Sequence, residues 1–146
     1  MNAFWKAIAA GAAGAATTNI LHELTRRLAP DAPRVDLLGM QALARLLRAG
    51  GTSPPTGKTL YNWTLAGDLA SNTAYFGTVA AGPRERSVVL GGALGLAAGV
   101  GAVLLPPALD LSGSTTGRSG ATVALTVGLY AAGGLVAGAV ARTLPA

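Results

Sequence analysis

Two stretches of the chain run uncharged for about the length of a bilayer crossing. Ser87 to Leu105 stops at Pro106-Pro107, and Gly120 to Ala141 ends at Arg142. A crossing needs about 20 mostly apolar residues, so each stretch predicts a spanning helix. Leu60 to Ala81 has the length as well but carries Asp68 near its middle. Phe4 to Leu28 begins with Trp5 and Lys6, continues through Ala and Gly, and turns polar from Thr17 onward. Both of these predict further spans. The first has a rival reading as a secretory signal, with Lys6 in the n-region, Ala7 to Ala16 as the apolar stretch and Ala13-Gly14-Ala15 as the cleavage site. The near absence of Leu, Ile and Val between Ala7 and Ala16 favours the span.

The connections follow the same logic. Pro30-Asp31-Ala32-Pro33 reads as a helix stop and a turn. From Asp36 to Arg48, Gln41, Arg45 and Arg48 fall on one narrow face at 100° per residue, with leucines and Met40 over most of the rest. That pattern suits an amphipathic helix in the headgroup plane, with Arg45 and Arg48 turned to lipid phosphate, or a short helix packed on the membrane domain with its arginines in water. Gly50 to Thr59 reads as a loop, Gly82 to Arg86 as a tight link, and Pro106 to Ser119 as a longer flexible connection. The expected fold is therefore all-α: an integral-membrane, up-down four-helix bundle in a single domain, 1–146. Its spans fall at about 4–28, 60–81, 87–105 and 120–141, with the amphipathic helix at about 36–48.

Composition supports lipid as the solvent. Apolar residues make up 51% and charged residues 12%, about half the charged share of a soluble domain. Cysteine is absent, which excludes disulfides and thiolate chemistry, and His22 is the single histidine, which excludes two-histidine metal motifs. The net charge of +5 is spread over the predicted loops, which points to anionic lipid and away from nucleic acid. Lys6, Arg84, Arg86 and Arg142 fall on one side; Arg26, Arg27, Arg34, Arg45, Arg48, Lys58 and Arg118 fall on the other, where the loops are longer. Basic density is similar on the two sides, and the Arg45/Arg48 side is assigned to the cytoplasm because anionic lipid would favour its helix there.

Small residues recur four apart: Gly91, Gly95 and Gly99 in the third span, Gly134 and Gly138 in the fourth, and Ala7, Gly11 and Ala15 in the first. Lipid tails are as apolar as leucine, so helix pairing in a bilayer relies on close backbone approach, which such stripes permit. They predict tight packing, within the bundle or between copies.

An ionisable group inside a span is costly and is a functional hypothesis by default. Tyr61, Thr64, Asp68, Ser71, Asn72 and Tyr75 lie close to one helix line, so this stripe should face other helices or a wet cavity. At 1.5 Å rise per residue in antiparallel neighbours, Asn19 falls nearer to Asp68 than His22 does. The predicted cluster is Asn19, His22 and Glu23 with Asp68 and Asn72, and Glu23 can also pair with Arg27 along its own helix. The functional reading is a proton-titrating or cation-binding site; the structural one is an interhelical hydrogen-bond cluster that holds register.

Several strings imitate motifs. His22-Glu23-Leu24-Thr25-Arg26 begins like HExxH but lacks the second histidine, and Gly51 to Thr59 departs from a P-loop in spacing and contains Pro54-Pro55. No nucleotide, metal or cofactor is expected. Leu21-His22-Glu23 through Pro30 to Met40, Ala66-Gly67-Asp68, Leu96 to Ala102 and Leu125 to Tyr130 together resemble a group of small uncharacterised bacterial membrane proteins. The resemblance implies four spans in an inner membrane and carries over no functional residue. The expected function is a non-catalytic accessory or oligomeric scaffold subunit, whose partners are the bilayer and a second copy or another membrane protein. The alternative is a small oligomeric proton-coupled transporter or cation channel using Asp68. A lipid-acting enzyme built on Asp68, His22 and Glu23 lacks a nucleophile or metal.

Overall fold

The computed structural model describes residues 1–112 and 115–145. Among them are five α-helices and no strand: α1 (Ala3–Leu28), α2 (Val35–Ala49), α3 (Gly57–Gly77), α4 (Ser87–Ala108) and α5 (Gly120–Thr143). Short 3-10 turns at Thr78–Ala81 and Arg84–Arg86 join α3 to α4. The Asn2 side chain accepts from the Trp5 N–H and the Ser119 hydroxyl from the Thr122 N–H, satisfying donors that a helix start leaves free.

The four long helices alternate in direction. α1 packs between α3 and α5, and α5 carries α4 on its far side. α3 and α4 meet sparingly, through the Tyr75 hydroxyl, which donates to the Leu94 carbonyl at 3.0 Å. α2 rests against α3.

The glycine stripes account for the tightest seam, between α4 and α5. A Cβ on Gly95 would stand 2.7 Å from the Ala131 Cα, one on Gly99 2.6 Å from the Val127 Cα, and one on Gly138 2.7 Å from the Val88 Cα. Gly91 and Gly134 each lie against the other's carbonyl. The backbones therefore touch where any side chain would hold them apart. α1 meets α3 and α5 in the same way, through Gly11 against Thr73 and Gly14 against Ala137.

This seam leaves the usual distribution of large and small residues inverted. Ala10, Ala15, Ala137, Thr18, Thr122 and Thr126 are buried, and Phe76 and Val79 are the bulky apolar side chains fully enclosed. Val89, Leu104 and Leu105 are 74%, 65% and 57% exposed. Two of the buried threonines donate back into their own helix, Thr18 to the Gly14 carbonyl at 3.0 Å and Thr126 to the Thr122 carbonyl at 2.8 Å.

Several expectations shift. Two helical segments, Arg84–Ala108 and Gly120–Thr143, are both long and apolar enough to cross a membrane, with mean hydropathy 2.3 and 1.9 over their most apolar stretches. α1 and α3 have the length, at 26 and 21 residues, but lack that apolarity because of Asn19, His22 and Glu23 in one and Asn62, Asp68 and Asn72 in the other. The four-span expectation is met in composition by half of its helices. The loop expected at Gly50–Thr59 gives way at Gly57, where the left-handed φ of 56° suits glycine and α3 begins.

The helix stop expected at Pro106-Pro107 is also absent: α4 runs through both prolines to Ala108. Proline has no N–H, so Pro106 leaves the Ala102 carbonyl without its helical donor. The fully buried Thr116 hydroxyl fills that place, donating to Ala102 at 2.7 Å. The helix then closes in a reverse turn, with Leu111 N–H on the Pro106 carbonyl at 2.8 Å and Asp110 at a left-handed φ of 51°. The connection expected over Pro106–Ser119 includes Gly113 and Ser114, which lie outside the described residues.

Candidate functional site

One turn of α1 faces one turn of α3 near their polar ends. Asn19 donates its side-chain amide to Asp68 Oδ2 at 2.7 Å and also to the Ala15 carbonyl of its own helix at 3.1 Å. Asn72 donates to Asp68 Oδ1 at 2.9 Å. Each carboxylate oxygen thus receives one neutral amide donor, and among the described residues no cationic side chain pairs with Asp68.

The next layer holds His22 and Thr64. α1 and α3 are antiparallel, so stepping from Asn19 to His22 and from Asp68 back to Thr64 moves one turn in the same direction. Both ring nitrogens of His22 and the Thr64 hydroxyl are sealed from solvent and have no hydrogen-bond partner among the described residues. That is costly for buried polar atoms. The Thr64 methyl sits under Gly39 of α2, where a Cβ would approach it to 2.6 Å. The His22 ring makes a T-shaped contact with Tyr130 from α5, with centroids 5.4 Å apart.

Asn19, His22, Thr64, Asp68 and Tyr130 border a half-open cavity of about 560 Å³ between α1, α2 and α3. Its wall is mostly apolar, with Ile20, Leu24, Leu65 and Leu69 toward the outside and Tyr61 and Tyr130 among the aromatic contributors. At its rim the charged groups are spent on one another. Glu23 accepts from Arg26 at 2.6 Å and from Arg27 at 2.7 Å. Arg34 grips Asp36 through two bonds of 2.9 and 2.7 Å. Burial works to raise the Asp36 carboxyl, but the Arg34 guanidinium and the Leu37 backbone N–H outweigh it and hold that acid below the usual carboxylate range.

Of the cluster expected from sequence, the structure joins Asn19, Asp68 and Asn72. Glu23 stays outside it because two arginines on its own helix are nearer partners. His22 shares the cavity without bonding to Asp68. Tyr75 is engaged with Leu94, and Tyr61 lies 37% exposed at the cavity edge. Arg45 donates to the Leu109 carbonyl and approaches Asp110 at 3.4 Å, while Gln41 accepts the Ser112 N–H at 3.1 Å. The polar face of α2 therefore leans on the α4–α5 connection, and Arg48 is exposed beyond it. Tyr130 was missed. Its signal was available: it is the sole aromatic residue between Gly120 and Ala141.

Compared with family models, curated proteins and solved structures, the chain matches none.

Proposed function

We propose that this chain is a small non-catalytic membrane protein, an accessory or scaffold subunit whose four long helices lie in a bacterial inner membrane. The observation that carries the reading is the inverted distribution: Gly, Ala and Thr inside, Val and Leu outside on α4 and α5. In water that arrangement would expose large contiguous apolar surface; in lipid it exposes nothing unfavourable. At 1.5 Å per residue, α1 and α3 reach about 39 and 31 Å, enough for a hydrocarbon core of roughly 30 Å. Of the polar groups that lower their apolarity, Asn19, His22, Asp68 and Asn72 turn toward one another or the cavity, Glu23 pairs with Arg26 and Arg27, and Asn62 is exposed.

Within this reading Asp68 serves as a clasp between α1 and α3, its two oxygens each held by an amide. The glycine faces of α4 and α5 are consumed inside the chain, so they are not the contact for a second copy. The outward side of α3 remains, where Asn62, Ala66, Gly67, Ala70 and Ser71 are exposed and a Cβ on Gly67 would meet nothing. It is flat and polar for a lipid-facing surface, and it suits another helix.

Because the chain has no cysteine, single-cysteine variants test this cleanly. Gly67→Cys in native membranes should cross-link into a larger species on oxidation, while Val89→Cys should not. Extraction of the protein by alkaline carbonate without detergent would refute membrane integration, and an uncross-linked Gly67→Cys would refute the homo-oligomeric scaffold.

A further inference from the structure

We propose that the cavity between α1, α2 and α3 binds an organic ammonium ion, a compact apolar molecule carrying a protonated primary or secondary amine. Three observations converge on that chemistry, and none depends on the bilayer reading.

The first is charge. Glu23 has two guanidinium partners in Arg26 and Arg27, and Asp36 has Arg34, whereas among the described residues Asp68 receives only the side-chain amides of Asn19 and Asn72. A carboxylate offers about four acceptor positions, so two neutral donors leave both its charge and part of its capacity unmet. A half-buried carboxylate without a cation keeps part of its desolvation cost, and a cationic ligand offsets it.

The second is the pair of unsatisfied groups one turn away. Thr64 is 9% exposed and its hydroxyl has no partner, although Thr17, Thr18 and Thr126 all bond back to their own helices. His22 has neither nitrogen engaged. A neutral imidazole and a hydroxyl both accept hydrogen bonds, and a primary ammonium has three N–H groups to give. Asp68, His22 and Thr64 all line the cavity, and a rotation of the His22 and Thr64 side chains, whose polar atoms are now closed off, would turn two further acceptors toward a ligand on Asp68. An anionic ligand would meet Asp68 with the wrong sign, and the arginines at the rim point their guanidinium groups onto Glu23 and Asp36.

The third is shape and lining. A cavity of about 560 Å³ with a mostly apolar wall is of the size that holds drug-sized molecules. Tyr61 and Tyr130 add aromatic rings to the lining, the residue type that favours cations. Ile20 and Leu24 are 58% and 49% exposed at its border, so an apolar body can enter from the side between helices.

The test uses the full chain in dodecyl maltoside micelles, titrated calorimetrically with 1-aminoadamantane and with its neutral counterpart 1-adamantanol. The amine should bind saturably at one site, and the alcohol at least about tenfold more weakly. Thr64→Val removes a hydroxyl that has no partner to lose. It should keep the unfolding midpoint of the wild type and weaken the amine by about fivefold. Asp68→Asn should abolish the preference for amine over alcohol. Equal binding of the two compounds, no saturable amine site, or an amine affinity unchanged in Thr64→Val overturns the assignment, whether or not Asp68→Asn folds. Failure here would leave the membrane topology untouched, since the cross-linking and extraction measurements do not involve the cavity.

Discussion

Asn19 of α1 donates its amide to the Asp68 carboxylate of α3 across 2.7 Å, joining two residues 49 positions apart in the chain. Removing the donor leaves a half-buried carboxylate oxygen unmatched. Asn19→Leu should therefore cost about 1–3 kcal/mol, measured by unfolding in mixed micelles. Asn19→Asp should cost more, because two carboxylates would then face each other at hydrogen-bond range. Asn19→Gln should recover part of the loss.

The glycines divide into two classes with opposite expected outcomes. Gly95→Ala and Gly134→Ala drive a methyl into the facing backbone and should cost about 2 kcal/mol or more, with separation of α4 from α5. Gly101→Ala makes only an ordinary contact with Leu105, and Gly128→Ala meets open space. Both should be neutral or stabilise by up to about 1 kcal/mol, because alanine restricts the unfolded chain and favours the helix. Thermal melts of the four variants in one detergent compare the classes directly.

Thr116 completes a helix from outside it. Thr116→Val keeps the volume but strands the Ala102 carbonyl that Pro106 cannot serve, and should cost about 1–3 kcal/mol. Pro106→Ala restores the helical N–H. In that background the same threonine change should become milder, and a double-mutant cycle reads the coupling.

Much of this geometry follows from periodicity, and some of it does not. The four-residue spacing of Gly91, Gly95 and Gly99 defines a flat face from sequence, although the choice of α5 as its partner needed the fold. The depth of Asn19 relative to Asp68 follows from helix rise in antiparallel neighbours. Glu23 escaped the same arithmetic because local partners three and four residues away outcompete a distant one. The role of Thr116 was invisible, since it stands in a connection with no period and acts on a carbonyl 14 residues earlier. The gap between His22 and Thr64 was equally hidden, because a missing hydrogen bond leaves no mark on a sequence.

Acid should loosen the join at the start of α2. Asp36 titrates below its ordinary value in the folded chain. Its contribution is therefore complete above the unfolded carboxylate pKa and is lost as pH falls through the depressed folded value. Between about pH 6 and pH 3 the wild type should lose more of its melting temperature than Asp36→Asn does. Arg34 is 38% exposed, so the difference should stay within about 1 kcal/mol.

The account rests on lipid covering the outer faces of α4 and α5. Nitroxide labels on single cysteines at Val89, Leu104 and Leu135, in protein reconstituted into vesicles, measure this by collision with oxygen and with a water-soluble nickel complex. The three labels should show high oxygen and low nickel accessibility, with a label at Arg48 showing the reverse. Nickel accessibility at Val89 and Leu104 equal to that at Arg48 would place those faces in water and contradict the account.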